Sequence, residues 1–201
     1  MGTFSKVFRF REKGQDPNVN NVEEFGQPAR SLYTSTKFLS LHQRTEVTDD
    51  EDRVAYRTVS KAISIKDKTD ILDARDVPVA HIERKVFSLH ERHTVTMADG
   101  TTFEVSNEFF HVIKDITNIE GLGWQLCGNI LGLNFRLFDG EGKIIAVISQ
   151  KAVSLHDKYC IDIYQTQYET YVIAILITLQ HMIRDREASA SPNSSSFHSS
   201  N

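Results

Sequence analysis

Cysteine is scarce in this chain of 201 residues: there are two, Cys127 and Cys160, far apart and without a Cys-x-x-Cys pairing. They supply neither a disulfide framework nor a zinc knuckle, and a reducing cytosol is the setting expected. Excess positive charge is lacking too. A formal net charge of -4 argues against a dedicated nucleic-acid binder, whose domain carries a basic footprint for phosphates. No apolar run reaches the about 20 residues that cross a bilayer; the most apolar segment, 171–183, has 13. The N-terminus shows no secretory signal, so Asn193-Ser194-Ser195 is a glycosylation sequon in form only. The opening MGTFSK departs from a myristoylation signal at Lys6, where Ser or Thr is required. A nucleophile elbow, a metal-ligand pair at helical spacing and a phosphate-cradling glycine loop are all missing, so catalysis is not expected. Gly121, Gly123, Gly128 and Gly132 fall in a strand-turn pattern, where glycine marks bends or bulges.

What the chain does have is a repeat. Ser-Leu-His occurs in FLSLHQR, VFSLHER and AVSLHDK, each time with a Lys three residues before the Ser (Lys37, Lys85, Lys151) and a base two residues after the His (Arg44, Arg92, Lys158). KAISIKDK is a fourth copy, with Lys61, Lys66 and Lys68, and two degenerate copies place Val112 and Leu133 in the Leu position. The six positions Leu41, Ile65, Leu89, Val112, Leu133 and Leu155 step by 24, 24, 23, 21 and 22 residues. A period of this length marks one supersecondary unit used repeatedly.

Each unit reads as two strands. After each copy come β-branched and aromatic residues alternating with polar ones, as in Thr94-Val95-Thr96-Met97, then a turn rich in Asp, Asn and Gly, then a longer strand back to the next copy. Six units predict twelve strands in an antiparallel meander, whose edges are best removed by closure into a barrel. The segment YVIAILITL is apolar nearly all round, so it predicts a buried helix. Twelve strands about 4.8 Å apart and tilted by about 40° close a ring roughly 24 Å across, wide enough for one helix with its side chains. The expected fold is therefore all-β with one helix: a closed twelve-stranded antiparallel barrel enclosing a hydrophobic C-terminal helix through Val172, Ile173, Ile175, Leu176, Leu179 and Ile183. The barrel is expected over 31–186, after a mostly disordered leader (1–30) interrupted by Phe4, Val7, Phe8 and Phe10, and before a disordered Ser-rich tail (187–201).

RKVFSLHERHTVTMADG, GKIIAVISQKAVSLHDKY and YVIAILITLQHM resemble the LURP-one-related proteins of the tubby C-terminal-like superfamily, a likeness that covers about 32–184. It implies the same helix-filled barrel. It also implies kinship in fold with phosphoinositide-binding tubby domains and with phospholipid scramblases, although no residue of either activity carries over. The family's molecular function is largely unassigned, with links to plant defence.

In a meander barrel successive turns alternate between the ends. The six Ser-Leu-type turns then share one rim of net charge +3, with Arg136 of the degenerate copy NILGLNFR counted among its seven bases, and the five Asp/Gly turns share the other, of net -9. Candidate contacts for a lipid headgroup are Lys37, Arg44, Lys61, Lys66, Lys68, Lys85, Arg92, Lys151 and Lys158. Their expected partner is an anionic phospholipid, above all a phosphoinositide, or an acidic protein surface. His42, His90 and His156 would sit on turns roughly 10 Å or more apart, too wide for one metal ion whose ligands lie about 2 Å away. Copies one and six are expected to meet where the barrel closes. The resulting expectation is a cytoplasmic, monomeric binding or scaffold module, peripheral at a membrane, with no metal, cofactor, nucleic acid or transmembrane span. The alternatives are a protein-interaction module without lipid binding, and a scramblase-like membrane protein whose helix leaves the barrel.

Overall fold

The computed structural model describes residues 24–35, 45–61, 68–85, 92–106, 116–151 and 158–190, with the backbone alone at 35, 61, 85, 151, 158 and 188–190. The strands are β1 (Arg30–Ser35), β2 (Glu46–Thr48), β3 (Val54–Lys61), β4 (Lys68–Asp73), β5 (Pro78–Lys85), β6 (Arg92–Met97), β7 (Thr102–Ser106), β8 (Ile116–Ile119), β9 (Trp124–Asn129), β10 (Asn134–Phe138), β11 (Ile144–Lys151) and β12 (Lys158–Ile163). A 3-10 turn at Thr166–Tyr168 leads into helix α1 (Glu169–Ala190). All twelve strands form one antiparallel sheet in the order β7-β6-β5-β4-β3-β2-β1-β12-β11-β10-β9-β8. The meander predicted from the repeat is the one observed.

Alternation decides what faces inward. Thr58, Ile71, Ala80 and Met97 stand in one lateral row, and Phe135, Ile148, Ile161 and Leu32 in another; all eight are buried. Helix α1 fills the space between such rows. Every residue from Val172 to Leu179 is at most 1% exposed, as only a helix enclosed on all sides can be. Each large aliphatic side chain so buried contributes about 1.5–3 kcal/mol. Thr178, within that stretch, donates its hydroxyl to the Ala174 carbonyl at 2.7 Å and leaves no polar group unmet. None of the described helices is long and apolar enough to cross a membrane.

Three of the turns at the end where α1 begins share one construction. Asp49, Asp73 and Asp139 each accept two backbone N–H bonds on Oδ1, from Glu51 and Arg53, from Arg75 and Val77, and from Glu141 and Lys143. The fourth residue of each turn, Asp52, Asp76 or Gly142, takes positive φ, and a register shift follows in the paired strands. The bonds from Val77 and then Arg75 hold the Asp73 carboxyl below its usual range. Glu169, at the head of α1, is buried and accepts from Arg30 Nη1 at 2.7 Å and from Tyr56 Oη at 2.8 Å. Burial and then the Glu169 charge push the Tyr56 hydroxyl well above its ordinary pKa. The same mouth is lidded by Trp124, Tyr168 and Tyr171, whose rings pack edge-on or tilted at 4.8–6.4 Å.

Closure differs in one detail from the sequence expectation. β1 and β12 do meet, but through a continuous ladder from Arg30↔Ile163 to Ser35↔Lys158. The thin joint lies instead between β7 and β8. There the backbone contact among the described residues is a single bridge, the Glu104 N–H donating to the Glu120 carbonyl at 3.1 Å. Arg92 Nη1 reaches both carboxylates, at 3.2 Å and 4.0 Å. Gly121 makes the approach possible: its φ is +96°, and a Cβ there would stand 2.9 Å from the Thr102 carbonyl oxygen. Gly121→Val should therefore cost about 1 to 3 kcal/mol in chemical denaturation and speed hydrogen exchange at the Glu104 amide. Unchanged stability and exchange would mean that the joint is not a structural constraint.

Toward its C-terminus α1 presents His181 beside His93 and Arg184. Burial, then the charges of Arg184 and His93, lower the His181 pKa from 6.5 to about 3. The folded state thus refuses a proton that the unfolded chain accepts, so this contribution is present above about pH 6.5 and is lost as pH falls toward 3. Acidification from about pH 7 to about pH 5 should lower the denaturation midpoint of the wild type more than that of His181→Leu. Equal falls in both would assign the acid sensitivity elsewhere.

Candidate functional site

The strand ends that flank the Ser-Leu-type segments lie at the end of the barrel opposite the Asp turns, where α1 finishes. Lys37, Arg44 and Lys66, with His42, His90 and His156, lie outside the described residues. The other six candidates stand at strand ends. Backbone register places Lys61 opposite Lys68, Lys85 opposite Arg92, and Lys151 opposite Lys158, each as the terminal pair of its ladder. Opposed residues in such ladders are about 4.5–5.5 Å apart at Cα. Lys61, Lys68, Lys85 and Arg92 occupy four consecutive strands, an arc of about 15 Å, while Lys151 and Lys158 form a second group across β11 and β12.

Some of this charge is met within the wall. Lys68 Nζ lies 3.7 Å from Glu83 Oε1, and Arg92 is shared between Glu104 and Glu120 at the β7/β8 joint. Inside the mouth, Arg84 Nη1 and Arg184 Nε flank Asp185 at 3.5 Å and 3.8 Å. The Gln180 side-chain amide, also buried there, has no hydrogen-bond partner among the described residues.

The hairpin of the fifth copy, at this same end, is an internal control. β9 and β10 join through the turn at 130–133, and their closing pair is Asn129 opposite Asn134. The fold does not require bases at this position. The sequence signal for the opposed pairs is the spacing: Lys61 to Lys68, Lys85 to Arg92 and Lys151 to Lys158 are each seven residues apart, as are Lys37 and Arg44. In a hairpin that separation sets two residues face to face, so the pairs could have been read from the repeat itself.

Arg136, counted with this rim from the sequence, is not on it. It sits midway along β10 on the outer wall, where its Nη2 lies 3.0 Å from Glu24 Oε2 and its guanidinium lies 5.0 Å from the Phe25 ring centroid. Among the described residues no group of three or more His, Cys, Asp and Glu side chains could hold a metal ion.

A twelve-stranded wrapper around a C-terminal helix, with one basic and one acidic mouth, is the setting for the relationships found by comparison. The chain is 26% identical over 157 residues to the uncharacterized protein YxjI of Bacillus subtilis (strain 168), a match that spans 78% of this chain and 95% of that protein. The X-ray structure of the Arabidopsis thaliana protein AT5G01750 is matched over 82% of this chain and 96% of its own, at 13% identity and a TM-score of 0.45. The family model for LURP-one-related proteins matches residues 30–180, most of the described barrel, and the chain belongs to the LURP-one-related family.

Proposed function

We propose that this protein is a non-enzymatic binding or scaffold module of the cytoplasm that engages an anionic partner, a phosphoinositide or other anionic lipid headgroup, through the basic mouth. One observation carries the reading: three hairpins close on opposed pairs of bases. Like charges set directly opposite one another in a sheet destabilise it by about 0.2–1 kcal/mol per pair. The Asn129/Asn134 hairpin supports the fold at the same end without that cost. A multivalent anion bound at this mouth neutralises both members of a pair at once and converts the repulsion into binding energy. Each base near an anionic membrane contributes about 1 kcal/mol, so the mouth alone gives reversible, peripheral attachment.

Sedimentation with vesicles tests this. The folded full chain should bind phosphatidylcholine vesicles containing a phosphoinositide and ignore vesicles of phosphatidylcholine alone. Replacing Lys61, Lys68, Arg92 and Lys158 by Gln should weaken binding by about 4 kcal/mol, roughly three orders of magnitude in affinity. Failure of the folded wild type to bind any anionic vesicle at low salt would remove the lipid reading. If the same variant then lost capture of an acidic protein, the mouth would belong to a protein partner.

A further inference from the structure

The outside of the barrel has two different faces. On β3 to β7 the outward residues are largely charged or polar, Val59 and Leu72 excepted, and none is fully buried: Arg57 pairs with Asp76, His81 with Asp70, Lys68 with Glu83 and Arg92 with Glu104. On β9 to β12 the middle of the outward face is buried, although Gln125, Asn129 and Asn134 at its edges are not. Cys127, Arg136, Val147 and Asp162 follow one another across four strands in register, at 8%, 8%, 1% and 8% exposure. Phe138, Ser149 and Cys160 flank that row and are at most 3% exposed. An outward sheet face is shielded from water only when something lies over it.

The described chain begins on this same face. Phe25 packs edge-on against Phe138 and Tyr164, with centroids 6.1 and 6.0 Å apart, and Glu24 meets Arg136 at 3.0 Å. These two residues lie at the β10 side of the patch. Val147, Ser149, Cys160 and Asp162, on β11 and β12, need a further cover.

We propose that the cover is the chain's own leader, residues 1–22, laid in cis over β9 to β12 as a strap anchored by Phe25. Its reach is ample. Phe10 is fifteen residues before Phe25, up to about 50 Å of extended chain, whereas four strands span about 15 Å. Its chemistry is complementary. Phe8 and Phe10 alternate with Arg9 and Arg11, so in extended form one face is aromatic and the other basic, with Phe4 and Val7 adding apolar area. The wall offers Phe138, Val147 and the two cysteines as apolar surface, and Asp162 as an acidic group beside them. The strap leaves this face closed to a second copy, consistent with a monomer.

Both of the chain's cysteines lie on this wall, which makes the strap measurable. In the native full chain Cys127 and Cys160 should react slowly with a maleimide. In the full-length variant F4D/V7D/F8D/F10D, both should label roughly tenfold faster or more, with the melting transition and far-UV circular dichroism of the barrel retained. Unchanged labelling in a folded variant overturns the proposal, as does rapid labelling of the native wild type. Should the variant fail to fold, a photo-cross-linker in place of Phe8 in the otherwise native chain decides. Cross-links to β9–β12 of the same molecule, independent of protein concentration, support the strap. Cross-links to another copy, to another part of the barrel or to nothing overturn it.

Discussion

A helix that is apolar on every side is the constraint from which the rest of this structure follows. Val172 to Leu179 offers no polar face to water, so α1 cannot lie on a surface and needs a wall in every direction. A sheet supplies that wall only by curling until its edges meet, and twelve strands are about the number whose ring admits one helix. The helix also determines where polar groups are tolerated inside. They stand at its two ends, Glu169 under Arg30 and Tyr56 at one mouth, His181 and Asp185 among Arg84, Arg184 and His93 at the other.

The two rims carry opposite charge for unequal reasons. Tight turns leave backbone amides that need acceptors, and an Asp at the first position satisfies two of them at once, as Asp49, Asp73 and Asp139 do. The acidic rim is therefore largely a consequence of turn chemistry. No comparable need explains lysines at the opposed positions Lys61/Lys68 and Lys151/Lys158, since an ammonium group cannot accept a backbone N–H. The proposed function rests on the charge that turn chemistry does not ask for.

Much of this was legible in the sequence because the repeat fixes both the strand count and the alternation of turns. The six helix residues expected inside, from Val172 to Ile183, are all buried. Two features were less visible. The thin joint could not be placed by counting, since it depends on how closely Gly121 approaches Thr102 and on Arg92 reaching across to Glu120. The position of Arg136 was misread because the degenerate copy NILGLNFR suggests a turn base, whereas the Leu133 turn ends early and Arg136 is already within β10. Six of the nine candidate bases find a backbone position at one mouth, and Lys37, Arg44 and Lys66 lie outside the described residues.

Departures from the repeat are concentrated on one side of the barrel. The Val112 copy falls in the connection between β7 and β8, where the sheet is thinnest, and the Leu133 copy gives the hairpin that closes on asparagines instead of bases. The next three strands, β10 to β12, have largely buried outer faces, unlike the partly exposed and mostly polar faces of β3 to β7. An unbroken sixfold ring would present the same solvated exterior all the way round. Drift in the fourth and fifth copies ends that equivalence: it leaves the bases grouped on β3 to β6 and on β11 and β12, and it accompanies a buried, mixed apolar and polar wall where Phe25 already sits. A symmetric wrapper would suffice to hold the helix, so the asymmetry is what both the proposed anion-binding mouth and the proposed strap draw upon.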